Sequence, residues 1–138
     1  MKSIALQRSG FSLVELTIVV VILGILATFA VPRFMTSVEK TKASEAFSYL
    51  SQIEGAQGRY NAEYGKYAKR TKDIDIDLDR PEFFSVANFV SSNWETSWEM
   101  TLTRNGASSG HGRYTVVFNQ DGYSKSKSTI DRDLAPAL

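Results

Sequence analysis

Phe11 to Val31 is a run of 21 residues that contains a single charge, the carboxylate of Glu15. A lone carboxylate inside an apolar helix is costly unless it lies near the membrane interface, is protonated or is paired. The chemistry that would pair it starts four residues earlier. A peptidase cut between Gly10 and Phe11 gives Phe11 a new α-amino group, cationic at neutral pH. Glu15 then becomes the fifth residue of the mature chain. The amine of one copy can pair with the carboxylate of the next. That attraction is far stronger in a low-dielectric environment than in water, and a buried charge left alone is strongly unfavourable. The pairing would act as a register device for assembly rather than in turnover.

The element that positions these groups is a helix. Residues 11–31 span roughly 32 Å at about 1.5 Å per residue, against a hydrocarbon core of about 30 Å. Lys2 and Arg8 precede the run, so they are expected to stay cytoplasmic while the rest of the chain is translocated. Three readings fit the segment. A secretory signal peptide would be cut near Thr28-Phe29-Ala30, but the run is long for an h-region and holds Glu15. A plain signal anchor explains length and orientation, and leaves Glu15 softened only by its closeness to the interface. Removal of a leader spanning residues 1–10 makes Glu15 necessary.

The string Ser9-Gly10-Phe11-Ser12-Leu13-Val14-Glu15-Leu16, followed by TIVVVILGILATFAVPRF, resembles the class III signal of type IV pilins and type II secretion pseudopilins. The resemblance implies cleavage after Gly10 by a membrane-embedded prepilin peptidase and methylation of the new N-terminal Phe11. It makes Glu15 the glutamate of the assembly register, and Gly24 and Pro32 the residues that soften the helix. The short leader and Phe11 resemble the type IVa subgroup. The implied partners are further copies of the chain in a helical filament, the peptidase, the pilus assembly platform with its ATPase, and the inner membrane before assembly. The extracellular pilus is the implied destination. No cofactor is implied.

The physics of the two softening positions agrees. Glycine costs about 0.8–1 kcal/mol in a helix interior and proline about 3 kcal/mol. Pro32 also removes the donor for the Thr28 carbonyl and clashes with it. Residues 32–64 continue as an amphipathic helix, with Phe34, Val38, Ala46, Leu50, Ile53, Gln57, Tyr60 and Tyr64 recurring at three- and four-residue steps. Glu39, Lys40, Lys42, Glu45, Glu54 and Arg59 are expected mostly off that face, and Gly65 is expected to end the helix.

Residues 65–138 are expected to form a globular head. Strands are predicted over Trp98–Arg104 and Arg113–Asn119, with a Gly/Ser-rich hairpin loop between them. Gln120-Asp121-Gly122 reads as a turn, and Tyr123–Thr129 as a polar edge strand. A short helix or turn is predicted over Glu82–Val90. The fold class is α+β: a long N-terminal helix packed on a small antiparallel meander, which is also the layout the resemblance implies. Asp73, Asp75, Asp77 and Asp79 alternate with apolar residues. They read either as a weak calcium site without EF-hand spacing, or as a half-buried edge segment whose charges block pairing.

The chain has 138 residues, 16 basic and 15 acidic side chains, one histidine and no cysteine. Disulfides, thiol nucleophiles and the cysteine-bounded C-terminal loop of many type IVa pilins are thereby excluded. The charge balance gives no clear nucleic-acid site. His111, between Gly110 and Gly112, has no identifiable nucleophile or orienting group beside it, so no enzyme activity is expected. The leading reading is a type IV pilus subunit serving attachment, motility or DNA uptake. The alternative is a type II secretion pseudopilin; Tyr64-Gly65-Lys66-Tyr67-Ala68-Lys69 departs from the Tyr-Pro-Thr-type stretch usual in the major pseudopilin. A membrane-tethered enzyme or receptor leaves Glu15 unexplained.

Overall fold

The computed structural model describes residues 10–106 and 110–136. The expected leader, apart from Gly10, lies outside the described residues. The chain divides into two compact units, Met1–Phe34 and Met35–Leu138. Helix α1, Leu13–Tyr64, runs through the boundary.

In the first unit every described residue is exposed. Helix α1 opens with Glu15 in its first turn, where a negative charge complements the positive end of the helix dipole. Pro32 lies inside the helix. The helix is long and apolar enough to cross a membrane by length and composition.

In the second unit the pattern changes to one buried stripe. Glu39, Ala43, Ala46, Phe47, Leu50, Ile53 and Gln57 are buried at three- and four-residue steps, joined by Tyr49 and Ala56. This is the period that keeps side chains on one helix face. The stripe packs on a four-stranded antiparallel sheet of β1 (Phe84–Val86), β2 (Glu99–Arg104), β3 (Thr115–Asn119) and β4 (Gly122–Tyr123), in the order β1-β2-β3-β4. Along β2 the side chains of Met100, Leu102 and Arg104 are buried, while Glu99, Thr101 and Thr103 are half-buried. Met100 and Leu102 face Phe118 and Val116 of β3 across the ladder, and this layer with Leu50, Ile53 and Trp98 forms the core. Edge-to-face rings close it, with Phe47 5.9 Å from Phe118 and Phe89 5.7 Å from Trp98.

The end of α1 falls where its glycine predicts. Gly65 adopts φ +68° and its N–H donates to the Asn61 carbonyl at 2.8 Å, the left-handed conformation that glycine reaches without a Cβ penalty. The predicted strands appear as β2 and β3, each slightly shortened, and the α+β layout is as expected.

Three local expectations are corrected. Glu82–Val90 holds β1 rather than a helix or turn, because Phe84 and Val86 pair with Arg104 and Leu102. Tyr123–Thr129 contributes only Tyr123 to β4. Its remainder turns and lays hydroxyls along β3: Thr115 N–H donates to Thr129 Oγ1 at 2.8 Å and Val117 N–H to Ser128 Oγ at 2.9 Å. The Asp73–Asp79 segment keeps the expected burial alternation and, as its charges lead one to expect, pairs with no strand; it follows a 3₁₀ turn at Thr71–Asp73. Glu39 belongs to the buried face, whereas Phe34 and Tyr64 are 67% and 54% exposed.

Candidate functional site

The sequence-predicted site lies at the start of α1. Gly10, Phe11 and Ser12 precede the helix, and the Ser12 carbonyl accepts from the Leu16 N–H at 3.1 Å. The peptide bond between Gly10 and Phe11 therefore sits outside the helical hydrogen-bond ladder. Phe11 is 80% exposed. Glu15 is also exposed, one helical turn on from it, and makes no ion pair or side-chain hydrogen bond among the described residues.

The threonine hydroxyls in this stretch are satisfied locally. Thr17 Oγ1 donates to the Val14 carbonyl at 2.8 Å, and Thr28 Oγ1 to the Gly24 carbonyl at 3.0 Å. Such back-bonding removes the threonines as exposed polar groups, leaving Glu15 as the charged exception. Space at Gly24 is open, since a Cβ built there meets nothing within 4 Å. Its significance within the chain is thus backbone freedom rather than close approach. Pro32 lacks the N–H that would bond the Thr28 carbonyl.

The four aspartates are not gathered into a cage. Arg70 grips Asp73 with two bonds of 2.9 Å, from Nε and from Nη2. That guanidinium holds the Asp73 carboxyl below the usual carboxylate range. Asp75, Asp77 and Asp79 are exposed, and no group of three metal-ligating side chains occurs among the described residues. His111 Nδ1 lies 3.7 Å from Asp131 Oδ2. A groove of about 880 Å³ is lined by residues that include Ser51, Glu54, Tyr123, Lys125 and Arg132, and none of its lining residues is histidine.

Sequence reasoning missed a polar cluster in the second unit. Glu39 is 1% exposed. Its Oε1 accepts from Arg104 Nε at 2.6 Å and from the Tyr114 hydroxyl at 2.9 Å, while Oε2 accepts from Arg104 Nη2 at 3.2 Å. Lys42 Nζ stands 3.9 Å from the same carboxylate. Arg104 Nη1 also donates to the Phe83 carbonyl at 3.3 Å and to the Asn105 carbonyl. The Glu39 hydrogen bond raises the Arg104 pKa, and burial followed by the Glu39 contact pushes the Tyr114 phenol well above its ordinary value.

Two further side chains of α1 hold the loop that follows it. Glu45 accepts from the Glu82 and Phe83 N–H groups at 2.8 and 3.2 Å. The Gln57 amide both donates to the Ala68 carbonyl at 3.0 Å and accepts from the Ala68 N–H at 2.8 Å. The available signal was parity: Glu39 falls on the Ala43–Ala46–Leu50 spacing, and Arg104 falls on the inward phase of Met100 and Leu102.

Residues 6–31 match the prokaryotic N-terminal methylation motif family. The type II secretion system core protein G of Aeromonas hydrophila is 35% identical over 75 residues, covering 54% of this chain and 52% of that protein. The type IV major pilin protein PilA of Myxococcus xanthus is 38% identical over 74 residues, covering 54% and 34%. The Pseudomonas aeruginosa core protein G is 32% identical over 88 residues, covering 64% and 59%. The chain thus spans about half the length of the core protein G relatives it matches, and less of the pilin. No solved structure matches it significantly. The methylation motif at the start of the chain and these likenesses beyond it support the family of type IV pilins and type II secretion pseudopilins.

Proposed function

We propose that this chain is a filament subunit held in the inner membrane by residues 11–31 until assembly. Prepilin peptidase removes residues 1–10 by cutting after Gly10, and Phe11 is N-methylated. Residues 32–64 then carry the amphipathic continuation of the helix, and residues 65–138 the head. The assembly platform and its ATPase extract the processed chain into a helical fibre, where the apolar helices exchange lipid for one another. The observation that carries this reading is the fully exposed apolar helix with one carboxylate, Glu15, four residues after Phe11. At about 4 Å and an effective dielectric of about 20, an amine–carboxylate pair is worth about 4 kcal/mol before desolvation, enough to favour one register over its neighbours.

Mass spectrometry of the mature protein tests the processing. Residues 11–138 plus one methyl group are expected, and an intact leader in assembled material overturns the reading. Gly10→Ala is expected to abolish cleavage and fibres together; normal fibres from that variant remove the peptidase step.

We carry the reading to a type IV pilus subunit, serving surface attachment, motility or DNA uptake. Its support is the likeness to the Myxococcus pilin and to the fimbrial protein EcpC of Eikenella corrodens, 40% identical over 58 residues. The pseudopilin reading has equal support in the several core protein G relatives. Deleting the gene separates them. A pilus subunit predicts loss of surface fibres with secretion intact; a pseudopilin predicts stalled export of folded proteins with surface fibres intact.

A further inference from the structure

We infer that Glu39, Arg104 and Tyr114 form a stop that limits how far α1 can unwind before the head is disturbed. The inference rests on the filament reading for its purpose but not for its test. Upstream of Glu39 the helix contains two intrinsically weak positions, Gly24 and Pro32, and every residue from Gly10 to Met35 is exposed. Glu39 is the first buried residue of the chain among those described. It binds Arg104 of β2 and Tyr114, the residue before β3, through three hydrogen bonds of 2.6–3.2 Å.

Chemistry makes this turn a sharp boundary. Unwinding through Glu39 would pull a buried carboxylate from a buried guanidinium and leave both uncompensated. An apolar contact at the same place would yield gradually, because dispersion contacts are individually small. The clamp is anchored in turn. Arg104 is held by the Phe83 and Asn105 carbonyls, and its guanidinium lies 5.6 Å from the Phe83 ring centroid and 5.9 Å from that of Phe84. Load arriving along the helix therefore passes into β1 and the end of β2 rather than into the Leu50–Ile53 core. Each residue that unwinds upstream lengthens the chain by about 1.8 Å, so the position of the stop sets the extension available to a subunit.

Hydrogen exchange on the full-length chain in detergent micelles tests this without any filament. In the native chain, protection by the head is expected to begin within the turn at residues 36–42, downstream of the segment that the micelle itself shields. Tyr114→Phe, the mild variant, is expected to speed exchange at residues 36–42 at least tenfold while residues 46–57 keep native rates. Glu39→Gln is expected to move the protection boundary to about Ala43–Ala46. Glu45→Gln, which loses bonds only to the loop amides, is expected to leave residues 36–42 unchanged. An unmoved boundary in both Tyr114→Phe and Glu39→Gln overturns the stop. So does uniform loss of protection through residues 46–57 in Tyr114→Phe, since that makes the cluster part of the general core. Failure of the filament reading would appear instead as unprocessed Phe11 in fibres and would leave these rates untouched.

Discussion

Two of the glutamates on helix α1, Glu15 and Glu39, stand in opposite circumstances. Glu15 lies exposed among apolar side chains with no ion pair among the described residues, whereas Glu39 is buried and bound by Arg104 and Tyr114. The same side chain is thus solved twice, once by partners inside the chain and once, on our reading, by a partner on another copy. The contrast teaches where to look for a missing partner. A carboxylate that folding leaves in an apolar stretch without a cation points to an assembly step that supplies one.

The largest expected effect breaks the first half of that contrast. Glu15→Ala is expected to leave membrane insertion intact and cut fibre yield by at least tenfold, scored by sheared-fibre protein against membrane protein. An unchanged yield removes charge pairing from assembly.

The next effect breaks the second half. Glu39→Gln or Arg104→Met each strands a buried charge or its donors, at a cost of about 3–5 kcal/mol. A fall in the thermal midpoint of the head, followed by circular dichroism, checks this. The combined Glu39→Leu, Arg104→Met and Tyr114→Phe replacement is expected to recover most of that loss, because an apolar trio leaves neither a charge nor the phenol hydroxyl unpaired. Single and combined variants with equal midpoints would mean that the charges carry no weight.

Gln57→Leu is expected to be milder, at about 1–3 kcal/mol, because it leaves the Ala68 N–H and carbonyl without partners in a buried position. Urea unfolding of the purified chain measures it.

The clamp also predicts an alkaline signature. The Tyr114 phenol is held above its ordinary value by burial and by Glu39, so the folded state keeps a proton that the unfolded chain loses near pH 10. Stability from this group is complete below about pH 10 and falls above it by about 1.4 kcal/mol per pH unit. Tyr114→Phe is expected to remove that slope. Arg70→Gln is the smallest change: the lowered Asp73 carboxyl favours the folded head at neutral pH and loses that contribution as pH falls through the acid range, so the variant is expected to be slightly weaker at neutral pH and no weaker in acid, the pair being open to solvent screening.

What the sequence made legible follows the physics of each signal. The apolar run, Glu15 and the Gly10-Phe11 junction stand out because charge and hydropathy change abruptly there. Gly65 stopped the helix because only glycine takes its positive φ cheaply, and β2 was visible through its period of two. Glu39 was misplaced because a glutamate reads as surface unless its partner, 65 residues away, is known. The same parity that buried Met100 and Leu102 pointed Arg104 inward, but a charged residue at an inward position is read as a phase error when taken alone. β1 was obscured because its three residues draw their stability from pairing with β2 rather than from local propensity. The polar stretch after Tyr123 imitates an edge strand in composition, while its hydroxyls, not its backbone, meet part of β3.

The most direct measurement is the structure of an assembled fibre at side-chain resolution. Charge pairing predicts the Phe11 nitrogen of one subunit within about 4 Å of the Glu15 carboxylate of its neighbour. A Glu15 carboxylate bound to some other group, or facing solvent away from every chain terminus, contradicts it.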